Sequence, residues 1–219
     1  MKVVKASFVV FLIVQAAPGE LISFAAGPPG SVPSGWSVAM THAGGAPQWQ
    51  IVRDPSAPSP PFVFAQISQD RTAGRFPLAV WNGVSIRNGQ ISVAFKTVSG
   101  TVDQAAGIVW RYQDQNNYYI VRANALESNI VLYKVENGVR LSIAPLGRPS
   151  RSYGVKHEVP KGKWCTLRAV FNGGHFGVFF NGERVFETED ASITKAGKTG
   201  LWTKADSVTY FDDFLVTGN

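Results

Sequence analysis

Of five Asn-Gly pairs, Asn137-Gly138 and Asn181-Gly182 each stand between short runs of alternating apolar and polar residues, and no stretch shows a long helical period. Both central positions of a two-residue hairpin turn need positive φ, which Asn and Gly tolerate best. These two pairs therefore predict tight antiparallel hairpins. A parallel sheet needs crossover helices, and the chain offers none. Strands are expected at Phe62–Gln66, Ile91–Lys96, Gly107–Tyr112, Tyr118–Asn124, Ile130–Val135, Trp164–Phe171, Phe176–Phe180, Arg184–Phe186, Gly200–Thr203 and Tyr210–Val216. Most of the 22 glycines and 13 prolines fall between them as turn punctuation. The expected fold class is all-β, one antiparallel sandwich or barrel, with a single short turn of helix at most in "ALES" or "DASITKAG".

Charged residues make up 16% of the chain and aromatics 12%, a composition that can bury a core. The formal charge of +6 is scattered, with no run that would track a phosphate backbone, so nucleic acid is not an expected partner. At the N-terminus Lys2 and Lys5 precede an apolar run from Ala6 to Val14, and small residues follow. That order is a secretory signal, with cleavage after Ala16 or after Ala25. The run is too short to span a bilayer, so no stable membrane insertion is expected once it is removed. The expected location is secreted or periplasmic, and the folded domain is taken as residues 32–219. Cys165 is the single cysteine and makes no internal bridge. Alternation in "WCTLRAVF" places it with Leu167, Ala169 and Phe171 on a core face.

"YQDQNNYYIVRANALESN", residues 112–129, folds as a hairpin about Gln115 and Asn116 with Asp114 opposite Asn117. Continuing that register sets Trp110 opposite Val121 and Tyr112 opposite Tyr119 on a core face. Arg111, Arg122, Tyr118 and Asn124 then share the other face. Two like charges that close need acceptors, either within the sheet or on a ligand.

The segments "GIVWRYQDQNNYYIVRANALESNIVLYKVENGVRL", "GVFFNGERVF" and "GKTGLWTKADSVTYFDDFLV" resemble the concanavalin A-like lectin/glucanase sandwich. Over residues 47–219 they are similar to the bacterial 3-keto-disaccharide hydrolase family, often labelled family 16 glycoside hydrolase or laminin-G-like. The resemblance implies a two-sheet jelly roll with a curved sheet whose concave face binds glycans. Fold alone leaves catalysis open. The E-x-D-x-x-E strand of family 16 glucanases, which sets two carboxyls about 5–5.5 Å apart for retaining hydrolysis, is absent from this sequence.

Candidate ligand-binding residues are Arg111, Tyr118, Arg122, Asn124, Trp202 and Lys204: planar donors for hydroxyls and rings for stacking. Trp202 reads equally as a core ring, and Lys204 with Asp206 as a surface pair. Asp114, Asn116, Asn117, Glu127 and Asn129 either line a rim or close turns. Asp212 and Asp213 fall on opposite faces of the last strand, where one is a hydrogen-bonded structural acid or a weak Ca2+ ligand. No other cofactor is expected. Acidic "FETEDAS" reads as a solvated turn, and His42, His157 and His175 match no zinc or triad spacing. The reading is an exported, monomeric carbohydrate-binding or carbohydrate-processing module for an oligosaccharide or glycoside. If it is an enzyme, it is a glycosidase-type hydrolase of keto-disaccharides, with Glu127 or Asp212 as a candidate base. The alternative is a non-catalytic lectin-like adhesion or scaffold module.

Overall fold

The computed structural model describes residues 19–219, so the expected signal falls largely outside the described residues. The first eight strands are β1 (Glu20–Ile22), β2 (Trp36–Thr41), β3 (Trp49–Arg53), β4 (Phe62–Gln66), β5 (Phe76–Ile86), β6 (Gly89–Ser99), β7 (Ala105–Asp114) and β8 (Asn117–Asn124). The rest are β9 (Asn129–Glu136), β10 (Val139–Ile143), β11 (Val155–Lys156), β12 (Cys165–Asn172), β13 (His175–Phe180), β14 (Glu183–Glu189), β15 (Gly197–Trp202) and β16 (Val208–Gly218). No helix occurs among the described residues, so neither short helical turn forms. Both Asn-Gly turns take the expected positive φ: Asn137 51°, Gly138 80°, Asn181 47° and Gly182 86°.

The strands form two antiparallel sheets, a jelly-roll sandwich. One runs β14-β13-β12-β6-β16-β4-β3 with β1 beside β16, and the other runs β10-β9-β8-β7-β15-β5-β2 with β11 beside β9. The fold takes in residues ahead of position 32. Glu20–Ile22 pair with Val216–Phe214, and Phe24 is buried in the core.

There are two cores. The first lies between the sheets and holds Phe64, Phe95, Trp110, Leu167, Phe171 and Phe211. Cys165 belongs to it, on the face that alternation assigned, and burial pushes its thiol pKa up. Each large apolar side chain buried there contributes roughly 1.5–3 kcal/mol. The second core is built from the second sheet alone, on its far face, from Phe76, Val109, Tyr118, Tyr133 and Trp202 among others.

A flat sheet cannot bury its own outer face. Arg140 on β10 and Phe76 on β5 are five strand spacings apart in sheet order, or about 24 Å along a flat sheet. The Arg140 guanidinium nevertheless lies 4.7 Å from the Phe76 ring centroid. The sheet is therefore rolled until its edges approach. Polar links hold the roll at one end. Thr41, at the end of β2, donates to Gln115 O at 2.6 Å and meets Tyr118 Oη at 2.7 Å. His42 Nε2 lies 2.8 Å from Gly138 O, in the turn between β9 and β10.

The hairpin of β7 and β8 departs from the expected register. Asp114 faces Asn117 as expected, but a bulge between Trp110 and Asp114 shifts everything beyond it. Trp110 faces Tyr119, Ile108 faces Val121, and Gly107 faces Arg122. Arg111 sits in the bulge with φ 48°. Arg111, Tyr112 and Gln113 stand against Tyr118 alone, two residues in excess. The positive φ of Arg111 breaks the alternation locally, so Tyr112 packs on the second core while Arg111 turns towards Tyr119 and Phe176 of the first.

Candidate functional site

The six expected ligand-binding residues do not form one patch. Arg111 is buried at the end of the inter-sheet core, with its guanidinium spent on carbonyls. Nη1 donates to Ile193 O at 2.7 Å, and Nε and Nη2 both donate to Arg87 O. It and Arg122 lie on opposite sides of the sheet, so the shared cationic face is overturned. Tyr118, Arg122, Asn124, Trp202 and Lys204 do lie on the rolled sheet's far side or its border, yet the first four are fully buried. Trp202 is a core ring, 5.3 Å from Phe76 in a tilted pair. Lys204 pairs with Asp103 at 2.7 Å and not with Asp206. The Asp206 carboxylate instead accepts the backbone N–H groups of Thr101, Val102 and Asp103.

Arg122 anchors one end of the far-side core. Its Nη2 donates to Glu127 Oε2 and to Asn129 Oδ1, both at 2.8 Å. Its Cζ lies 5.6 Å from the Tyr133 ring. Asn124 closes the following turn: its Oδ1 accepts from Leu126 N and Glu127 N, and its Nδ2 donates to Asp103. Burial alone would raise the Glu127 pKa, but the hydrogen bond and charge of Arg122 overcome it and hold the carboxyl below its usual range. A carboxylate so stabilised is a poor general base. Glu127 and Asn129 therefore brace the sheet.

Asp212 and Asp213 do not point to opposite faces. A bulge between Asp212 and Leu215 and a φ of 47° at Asp213 let both carboxylates grip one loop. Ser59 N donates to Asp212 and Ser59 Oγ to Asp213. Burial, with Asp213 and Asp54 nearby, pushes Asp212 up to about 6. Among the described residues no three His, Cys, Asp or Glu side chains converge as a metal set, and these two acids serve as a loop anchor. Asp190, expected in a solvated turn, instead accepts from Tyr119 Oη at 2.6 Å and pairs with Lys134.

The opening on the rolled sheet lies at its other end. An open groove of about 720 Å³ is lined by Met40, His42 and Phe76 from one edge, by Asn137, Gly138 and Arg140 from the other, and by the turn at Gln115 and Asn116. Arg140 follows the Asn-Gly turn and pairs with Val135, which in turn pairs with Tyr118. Its side chain thus joins their face. Three rings hold the guanidinium: Cζ lies 4.5 Å from Tyr133, 4.7 Å from Phe76 and 5.8 Å from Trp202. Its Nη1 is buried without an acceptor. His42 spends both ring nitrogens on carbonyls, Nδ1 lying 2.7 Å from Gly74 O and Nε2 facing Gly138 O. It is a latch between the two edges of the roll. Asn117 is tied to the turns through Asp114 and Asn137 N. Arg140, His42 and Tyr133 were not expected from sequence, though the Asn-Gly turn already fixes Arg140 opposite Val135.

Residues 30–217 match the family described as the 3-keto-alpha-glucoside-1,2-lyase-like domain. No curated protein matches the chain in sequence. Among solved structures it is similar to the carbohydrate-binding module CBM66 from Bacillus subtilis, at TM-score 0.63 and 16% identity over 82% of this chain and 93% of that one. A galectin-like protein of unknown function from Bacillus subtilis superposes at TM-score 0.53 with 14% identity, covering 90% of this chain and 97% of that one. A protein of unknown function from Shewanella oneidensis MR-1 gives 0.55 with 13% identity, covering 95% and 89%. At these identities the likeness is one of fold.

Proposed function

Because the chain belongs to the 3-keto-alpha-glucoside-1,2-lyase-like family, we propose that it binds a carbohydrate, and that the sugar sits in the groove at the mouth of the rolled sheet. The observation that carries this reading is Arg140, a guanidinium held by aromatic rings and lining an open groove that contains no carboxylate. Sugar sites combine a ring surface with a few fixed polar groups, and here Phe76, Asn116 and Asn137 flank that donor. The CBM66 fold likeness agrees with this reading.

Recognition is favoured over bond cleavage in this groove. No carboxylate lines it, His42 is occupied, and the Glu127 carboxylate is committed to Arg122. A lyase acting on a keto sugar needs a base beside the acidic C–H. Calorimetric titration of a glycan panel against wild type and Arg140→Ala tests the proposal, and unchanged affinity in the variant would remove it. Incubation with 3-keto-glucosides tests cleavage separately: released product would restore the enzyme reading.

Export as a monomer is part of the same proposal. A cut after Ala16 leaves β1 and Phe24 in the fold, whereas a cut after Ala25 removes both. N-terminal sequencing of the mature protein should therefore begin near residue 17.

A further inference from the structure

Resting on that reading, we infer that the sugar bound at the groove carries a carboxylate, as a uronate residue of an acidic glycan does. Charged guanidinium groups inside proteins are ordinarily met by acids or carbonyls. Arg122 and Arg111 follow that rule. Arg140 does not. Among the described residues it forms no salt bridge, and its Nη1 is buried without an acceptor. Its only close partners are the faces of Phe76, Tyr133 and Trp202. Ring faces stabilise the cation from above and below but leave the in-plane N–H groups unserved. The fork of a guanidinium matches a carboxylate in two parallel hydrogen bonds.

The surroundings lack the competing charge. The groove lining contains Arg140 and His42 and no Asp or Glu, so nothing there neutralises the cation. The flanking amides Asn116 and Asn137 suit sugar hydroxyls. The formal charge of +6 draws an acidic polymer towards the protein without choosing its site. Rings fix the guanidinium before binding, so little rotamer entropy is lost when the ligand arrives.

The test uses tetragalacturonate and its full methyl ester, which differ in charge and not in ring stereochemistry. Wild type, Arg140→Met and Arg140→Lys are titrated with each, and thermal melting checks that both variants fold. The expected result is binding of the acid at least tenfold tighter than the ester, weakening as salt rises. Arg140→Met should abolish the difference, and Arg140→Lys should keep only part of it. Equal or tighter binding of the ester by wild type would overturn the acidic-sugar inference while leaving the groove as a neutral-sugar site. Undiminished binding of the acid by a folded Arg140→Met would overturn it as well. Binding of neither probe, with a neutral glycan from the panel bound through Arg140, would also refute it; no glycan bound at all would take down the parent reading too.

Discussion

Arg122 and Arg140 project from the same face of the same sheet and approach the same ring, Tyr133, at 5.6 and 4.5 Å. One is fully buried, neutralised by Glu127 and hydrogen-bonded to Asn129. The other stands at the mouth of a groove with rings about it and no carboxylate beside it; each keeps one buried N–H without an acceptor, Nε in Arg122 and Nη1 in Arg140. Residue type and ring contact are shared, so neither marks a binding residue. What separates them is whether the protein supplies the counter-charge. A cation already answered from within stabilises the fold, and one left unanswered beside open space is available to a ligand.

The sharpest way to break this comparison is to remove Arg122. Arg122→Ala leaves a cavity in the far-side core and strips Glu127 and Asn129 of their donor. Urea denaturation should show a loss on the order of 3 kcal/mol. A loss below about 1 kcal/mol would mean that the pair is not structural.

Asp212 extends the contrast to an acid, since it is buried and takes N–H bonds with no cation on it. Its folded pKa is raised, from 3.8 to about 6. The folded state therefore holds the proton more tightly than the unfolded chain. That contribution to stability is fully present below 3.8 and is lost as pH rises through about 6. By linkage its size is of the order of 3 kcal/mol. Denaturation at pH 4.5 and 7.5 should show the decline in wild type, and Asp212→Asn should flatten it. A slope that survives in the variant would assign the pH dependence elsewhere.

Glu127 has the opposite sign. Burial is outweighed by Arg122, and its folded pKa is depressed. Its contribution is present above the usual carboxyl pKa and is lost as pH falls through the lowered folded value. Because the carboxylate is partly exposed, Glu127→Gln should bring a smaller loss than Arg122→Ala, confined to neutral pH. An equal loss at acidic pH would show that shape, not charge, holds Arg122.

The smallest effect is expected at Arg140. Arg140→Met keeps the apolar stem against Phe76 and Tyr133 and removes an N–H with no acceptor. Its melting temperature should match wild type within a few degrees, equivalent to less than about 1 kcal/mol, while glycan binding is lost. Strong destabilisation would place Arg140 in the same structural class as Arg122.

Local chemistry alone determined much of this protein. The Asn-Gly pairs at 137–138 and 181–182 fold back through positive φ, whereas Asn82-Gly83 runs on inside β5; alternation assigned Cys165, Leu167 and Phe171 to the inter-sheet core. Family-specific segments spoke for the sandwich. Tertiary structure decided the rest. A bulge at Arg111 shifts the register against β8 by two residues and sends two arginines to opposite sides of a layer. No alternation rule locates such a bulge, because packing of Gly197 against Arg111 and the offset pairing of β15 help to set it. The rolling of the second sheet is likewise a many-strand effect: it buried Tyr118 and Trp202, and brought residues from β5 and β10 within van der Waals reach across the roll. Sequence spacing fixes which side of a strand a residue takes; curvature fixes whether that side meets solvent, a ligand or the protein itself.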